Sequence, residues 1–428
     1  MQDFVDTLLD VANPFVMPEN AVRPLTVCVV GLGYIGLPTA AVLASRGSMV
    51  YGCDIRQEVV ETINQGRIHI HEPGLDRVVQ AVVARKKLVA AREPKCADVF
   101  ILSVPTPVTA DQKPDVSYVE QAAQSIRPYV RPGNLIILES TSPPETTSGV
   151  VVKHAVPHGM VVGRDVFVAH CPERVLPGQI LVEVIENDRI VGGVTPACTE
   201  RARRFYASFV TGEVLPTTST GAEVTKLVEN AFRDVNIAFA NELAALCERV
   251  GVDPFEVIEL ANRHPRVNIL KPGPGVGGHC ISVDPWFLVH AAPDVTPLIR
   301  TAREVNDRQP HRVVDKVAAM AAGRKNPVIG CLGLTYKADI DDMRESPSLE
   351  VAQLLHERGI GQVVCCDPYV SPERFSDLPL LSLEDVLEWS EIIVLLTDHQ
   401  EFHAIPTERL QSKLVLDTRG IWRDRLGK

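Results

Sequence analysis

No Cys-x-x-Cys pair, nor any other metal-ligand spacing, occurs among the ten cysteines of this 428-residue chain. A zinc or cluster site is therefore not expected, and no metal is assigned. No run of about 18 apolar residues is present, so no transmembrane helix is expected. The opening "MQDFVDTLLDVANPF" lacks the basic start of a signal or transit peptide. A basic excess is missing too: 43 Lys and Arg face 54 Asp and Glu, a net charge of −11. That argues against a nucleic-acid surface, which is usually basic. Together these absences point to a cytoplasmic protein with reduced thiols, partnered by neither membrane nor nucleic acid. Small anionic ligands stay open, because a local group of Lys and Arg can hold a phosphate within an acidic chain.

A chain of this length predicts two or three domains. Residues 25 to 30 form a short apolar run that fits a buried parallel strand. Gly31, Gly33 and Gly36 follow in G-x-G-x-x-G spacing, then a small-residue helix, then the strand "MVYGCD" closing at Asp54. Strand, glycine turn, helix and an acid about 20 residues on make a dinucleotide-binding unit. The glycines let backbone N–H groups approach a pyrophosphate at a helix N-terminus. Asp54 is placed to accept from the adenosine ribose and to repel a 2′-phosphate, which favours NAD over NADP. "ADVFILSVPTP" and "GNLIILESTSPP" continue the pattern as strand and turn. Thr106, Ser140 and Thr141 lie at carboxyl ends of strands and are candidates for the nicotinamide half; plain turn chemistry competes with that reading.

"DVFVAHCPERVLPG" reads as a strand leading to a loop with Glu173 and Arg174. A helix over roughly 221–250 follows, long enough to bridge domains or to pack on a second subunit. Lys226, Asn230 and Arg233 stand at i, i+4 and i+7 and share a donor-rich face. Phe232, Ile237 and Phe239 are expected to leave little of this helix for water, which favours a ligand role for that face. From about 326 a second α/β pattern begins, with Asp367 closing its second strand. Its glycine fingerprint is broken after Gly330 and Gly333, so it is read as a nucleotide-binding-like domain for something other than NAD. Lys337, Arg344 and Arg419 are its available cations.

Between these halves lies "KPGPGVGGHCISVDPWF". Gly275, Gly277 and Gly278 are expected to let substrate and backbone come close to Cys280. Most cysteines are small buried hydrophobes, but this loop sets Cys280 apart. A thiol is needed when an aldehyde must become an acid: the thiolate adds, hydride leaves, and a thioester is hydrolysed.

The segments "GLGYIGLP", "PTP", "ESTSPP", "CPERVLPG", "KLVENAFRDVNIAFANEL" and "GPGVGGHCISVDPWF" resemble, in that order, the UDP-glucose/GDP-mannose dehydrogenase family. "NRHPRVNILKPGPGVGGHC" is similar in particular to its UDP-N-acetyl-D-mannosamine 6-dehydrogenases. The resemblance implies oxidation of a sugar 6-hydroxymethyl to a carboxylate with two NAD. It implies Cys280 as nucleophile, Lys226 as proton-handling and oxyanion-stabilising group, Asn230 and Asp284 as positioning groups, and Glu173 as general base. Tyr34 and Ile35 join the glycines at the cofactor, and Arg344 is expected to touch NAD. Substrate contacts are implied at Arg174, Val175, Arg233 and Gly277. Others are implied at His264 and Arg266, and in the last domain at Tyr336, Lys337 and Arg419. A homodimer or higher homo-oligomer is implied, with a UDP-N-acetylhexosamine as substrate and a surface polysaccharide as the downstream product. "CPER" in place of the "NPEF" of UDP-glucose enzymes speaks against glucose.

The expected architecture is α/β. Residues 1–24 are an extension, disordered or regulatory. Residues 25–215 are an N-terminal Rossmann domain, 216–322 a central helical, dimerising domain carrying the cysteine loop, and 323–428 a C-terminal Rossmann-like, UDP-sugar-binding domain. The gluco-epimer is the alternative substrate. A one-step NAD enzyme would need neither Cys280 nor the second α/β domain, and a silent sugar-nucleotide sensor would release no NADH.

Overall fold

β1 (Thr26–Val30) is buried almost throughout, with Val27 and Val29 facing one apolar layer and Cys28 and Val30 the other. A strand covered on both faces has to be apolar at every position, which is why "TVCVV" reads as a run and not as an alternation. Around it lies an eight-stranded sheet, formed with β2 (Met49–Cys53), β3 (Leu88–Ala91), β4 (Val99–Leu102), β5 (Leu135–Leu138), β6 (Phe167–His170), β7 (Arg189–Gly193) and β8 (Val214–Thr218). The order is β3-β2-β1-β4-β5-β6-β7-β8. All pairs are parallel except β6 with β7. The order reverses beside β1, the switch point at which open α/β sheets bind ligands.

A second sheet holds β9 (Val328–Leu332), β10 (Gln362–Cys366), β11 (Ile392–Leu395) and β12 (Leu414–Asp417), wholly parallel in the order β10-β9-β11-β12. The expected α/β architecture holds, with a run of helices separating the two sheets along the sequence. Chief among these is Ser219–Val250, 32 residues, about 48 Å at 1.5 Å per residue.

The computed structural model describes residues 2–9, 25–109, 111–176, 178–278, 280–373 and 375–426. The chain divides into two compact units, residues 1–228 and 229–428. Part of the N-terminal extension departs from expectation. Gln2–Leu9 is a helix whose Val5 and Leu8 are buried in the first unit's core, and Asp6 pairs with Arg77 at 2.8 Å. Apolar residues three apart give this short helix a face to dock. Residues 10–24 lie outside the described residues. Among the described residues, no helix is long and apolar enough to cross a membrane.

Candidate active site

In the first unit the glycine turn is closed by contacts that admit no side chain. A Cβ on Gly31 (φ +92°) would lie 2.1 Å from the Ser103 carbonyl oxygen, and one on Gly36 1.9 Å from that of Gly31. At Gly33 nothing lies within 4 Å, so the turn is open there, just before the helix Gly36–Ser45. Tyr34 is exposed beside it and Ile35 precedes the helix. Asp54, buried, accepts the N–H of Leu32 at 3.2 Å and that of Arg56 at 3.0 Å, which ties the end of β2 to the turn. Thr106 Oγ1 donates to the Thr141 carbonyl at 2.6 Å, and Ser140 Oγ accepts from Val104 N–H at 2.9 Å. The candidate cofactor residues of this unit thus meet at the carboxyl ends of β1, β2, β4 and β5; Arg344 lies in the second unit. An open glycine position, a helix N-terminus and a buried acid fit a dinucleotide.

Glu173 and Arg174 follow β6. Glu173 was expected to act as a base, but both its oxygens are engaged: Oε1 accepts Arg174 N–H at 2.7 Å and Oε2 the Arg189 guanidinium at 2.7 Å. These contacts tie the loop after β6 to β7. Arg189 also donates to the Val184 carbonyl at 2.9 Å and lies over the Tyr206 ring, and Tyr206 donates to Glu139 at 2.7 Å. Burial, reinforced by the Glu173 charge, pushes Glu139 up to about 7 against the pull of Arg189 and Tyr206. Glu72 pins the loop's far side, accepting the N–H groups of Gly178 and Ile180 at 2.8 Å each. Val175 packs against the core. Lys226, half-buried in the long helix, stands four residues before Asn230.

In the second unit Cys280 is exposed. Its carbonyl accepts the N–H groups of Val283 at 3.1 Å and Asp284 at 2.8 Å, a turn that opens the helix Asp284–Ala291. Asp284 and Asn230 are both buried, and Asn230 Nδ2 donates to Asp284 Oδ2 at 2.5 Å. These two expected partners are brought together within four residues of the thiol.

Two of the loop's glycines are also pressed by the chain itself. A Cβ on Gly277 would lie 2.5 Å from the Glu345 carbonyl oxygen and 2.7 Å from Tyr336, and one on Gly278 (φ +78°) 2.9 Å from the Tyr336 ring. They are bare because the loop lies against the 336–347 segment of the same chain. Gly278 N–H donates to the Arg344 carbonyl at 3.3 Å, and Gly273 lies against the Arg419 guanidinium. Tyr336 is half-buried; its hydroxyl is pushed up by burial and by the negative charge of Asp342 and Cys280, with Arg344 and Arg233 opposing. Cys280 and Arg233 are therefore each within electrostatic reach of Tyr336, and Arg419 adjoins the start of the loop.

Arg344 forms a two-pronged pair with Asp342 at 2.6 and 2.8 Å, and Arg419 pairs with Asp398 at 2.9 Å. Lys337 is exposed. His264 and Arg266 are exposed in the turn after the helix Pro254–Ala261, where His264 Nδ1 accepts Arg266 N–H at 3.3 Å. Asp367 repeats Asp54's role by accepting the N–H groups of Leu334 and Thr335. Here, however, buried His399 sits 3.1 Å from its carboxylate, where a ribose would need access.

One face of the long helix contradicts expectation. Phe232 and Phe239 are 66% and 54% exposed, because among the described residues nothing covers them; Ile237 is half-buried.

Comparison with known proteins adds to this geometry. Models of the UDP-glucose/GDP-mannose dehydrogenase family match in order: its NAD binding domain over residues 25–210, its central domain over 220–308 and its UDP binding domain over 330–424. The chain is 54% identical over 406 residues to a Ralstonia nicotianae protein called NDP-N-acetyl-D-galactosaminuronic acid dehydrogenase, covering 93% of this chain and 96% of that one. It is 49% identical over 416 residues to the UDP-N-acetyl-D-mannosamine dehydrogenase of Yersinia pestis, covering 93% and 99%. Among solved structures, the UDP-N-acetyl-mannosamine dehydrogenase of S. aureus superposes with a TM-score of 0.85 at 42% identity, covering 92% and 95%.

Proposed function

The chain belongs to the UDP-glucose/GDP-mannose dehydrogenase family and is an NAD-dependent UDP-sugar dehydrogenase, and on that premise we propose that it oxidises UDP-N-acetyl-D-mannosamine to its 6-carboxylate. The observation that carries the reading is the buried Asn230–Asp284 pair, whose acid follows the exposed Cys280 by one hydrogen-bonded turn. NAD held at the glycine turn and Asp54 would supply the two-electron oxidant for each of two oxidations at the sugar's C6. The side chains supply the rest. Lys226 takes up the hydroxyl proton and stabilises negative charge on oxygen, an effect commonly worth about 100- to 1,000-fold in rate. The Cys280 thiolate adds to the aldehyde carbon, loss of hydride leaves a thioester, and one water releases the acid and restores the thiol. Asn230 and Asp284 orient the reacting oxygen and that water.

Glu173, held by Arg189, is assigned to fixing Arg174 and Val175 toward the substrate. Tyr336, Lys337, Arg419 and Arg233 are assigned to the nucleotide diphosphate, with Gly277 close by. Arg344 stays a candidate for NAD. The residue bounds of the three domains are proposed as 25–215, 216–322 and 323–428.

A homodimer is proposed as the working form. Val228, Phe232, Phe239, Leu246 and Val250 are exposed at spacings of four and seven, one apolar stripe along the 32-residue helix. The stripe borders a groove of about 470 Å³ lined by Val267, Leu298 and Arg266. Such a seam fits a second copy of itself. His264 and Arg266, exposed beside this face, are the candidates to serve a partner's substrate.

The relative at 54% identity supports a second reading, in which the N-acetylhexosamine has the galacto configuration. Both readings share the mechanism, and so does the gluco-epimer. NADH formed per mole of limiting sugar nucleotide separates them, measured with UDP-N-acetyl-mannosamine, -glucosamine and -galactosamine in turn. Two NADH from one sugar alone identifies the substrate; one NADH from every sugar overturns the thioester route. Cys280→Ser that makes acid at the wild-type rate would also overturn it.

A further inference from the structure

The backbone on either side of Cys280 is held by one buried polar chain. At its start, Gly273 N–H donates to Asn241 Oδ1 at 2.9 Å. Asn241 Nδ2 donates to Asn306 Oδ1 at 2.9 Å, and Asn306 Nδ2 donates to Asp234 Oδ1 at 2.8 Å and to the Asp234 carbonyl at 3.0 Å. The same Asp234 oxygen accepts from the Arg303 guanidinium at 2.5 Å, and that nitrogen also donates to the carbonyl of Ile281 at 3.3 Å, the residue after the cysteine. The second arm of Arg303 pairs with Asp307 at 2.6 Å. Asp234, Asn241, Arg303 and Asn306 are each no more than 2% exposed.

A fully buried arginine is costly unless its charge and donors are used. Asp234 alone would balance the charge, and an apolar pair of equal volume would fill the space. Instead, the network spends its donors and acceptors on the two backbone groups that bracket residues 274–280. We propose that Arg303 is a positioning residue for Cys280, acting through the Ile281 carbonyl, with Asn241 holding the loop's other end through Gly273. This rests on the reading of Cys280 as nucleophile. The exposed loop then owes its fixed geometry to a core network on the helices Ser219–Val250 and Pro297–Asp307. Lysine at 303 keeps the charge opposite Asp234, but it is not the planar fork that reaches Asp234, Asp307 and Ile281 together.

The test compares full-length wild type, Arg303→Lys and Glu304→Gln. It reads kcat, KM for the sugar nucleotide, and the rate of iodoacetamide alkylation at Cys280 by mass spectrometry, all per folded, NAD-binding subunit. For Arg303→Lys the expected result is a kcat lower by about 10- to 100-fold, as misplacement of a reacting group by about an ångström produces. KM should change little and the alkylation rate should change. Glu304→Gln, on the same helix but paired with Arg308 outside the network, should match wild type. Wild-type kcat and alkylation in Arg303→Lys overturn the proposal. Should Arg303→Lys fail to fold, Asn241→Ala decides by the same readouts, since it removes the contacts to Gly273 and Asn306 and leaves the Arg303–Ile281 contact in place: a lowered kcat at unchanged KM supports the clamp, and wild-type values overturn it. Failure of the underlying reading looks different, because wild-type enzyme alkylated at Cys280 would then still make acid.

Discussion

Asn230 donates its Nδ2 hydrogen to Asp284 Oδ2 over 2.5 Å, with both side chains buried and Asp284 opening the helix that follows the cysteine turn. The acid sits where backbone N–H groups of a first helical turn favour negative charge. A buried carboxylate held by an amide donor is fixed in direction, which suits it to a positioning role.

Asp284→Asn keeps the volume and removes the charge. We expect kcat to fall roughly 100-fold or more, the scale on which a positioned acid–base group contributes, with little change in KM. Steady-state kinetics decide, and an unchanged kcat would remove Asp284 from the mechanism.

Asp54 carries both the turn and the choice of cofactor. Asp54→Ala loses the contacts to Leu32 and Arg56 and the charge that repels a 2′-phosphate. The expected outcome is a preference for NAD over NADP, read as the ratio of kcat/KM values, reduced at least about tenfold, on the order of one lost charged hydrogen bond. A ratio that stays at its wild-type value would assign the discrimination elsewhere.

Glu139 gives a stability prediction with a definite sign. Burial raises it from an ordinary 4.5 to about 7 in the folded chain, so the folded state holds a proton that the unfolded chain releases. Its contribution is fully present below about 4.5 and is lost as pH rises through about 7. Glu139→Gln imitates the protonated acid. The difference in denaturation midpoint between variant and wild type should therefore move in the variant's favour between pH 5 and pH 8. A difference constant with pH would mean that Glu139 is ionised throughout.

Phe232→Glu combined with Phe239→Glu places charge on the exposed stripe. Sedimentation should show the wild type as a dimer or a multiple of it and the variant as a monomer of unchanged helix content. A monomeric wild type would leave the stripe without the proposed occupant.

What could be read from the sequence was local. β1, the glycine turn and Asp54 lie within 30 residues, and each carries its own signature. β3 and β8 escaped because they are the sheet's two edges, half exposed, and β8 carries Pro216, which only an edge tolerates. β7 opens with buried Arg189 and ends in two glycines. A Cβ on Gly192 would lie 2.0 Å from the Thr218 carbonyl oxygen, so close approach to β8 and not apolar content shapes it. The site follows the same rule. The nearness of Asn230 to Asp284 was implied by resemblance alone. Glu173's tie to Arg189 and Asp234's to Arg303, 69 residues away, depend on the fold bringing distant charges together. Asp234 left one trace, an acid one helical turn after Asn230 among apolar neighbours.

Because Gly277 and Gly278 lie flush against Tyr336 and Glu345, the cysteine loop cannot be transplanted by itself. A chimera that takes residues 271–287 from one dehydrogenase and residues 336–347 from another would set two unmatched surfaces face to face. Anyone exchanging substrate preference between such enzymes should move both segments as one cassette. Over generations, a change on either surface is tolerated only when the opposite surface accommodates it.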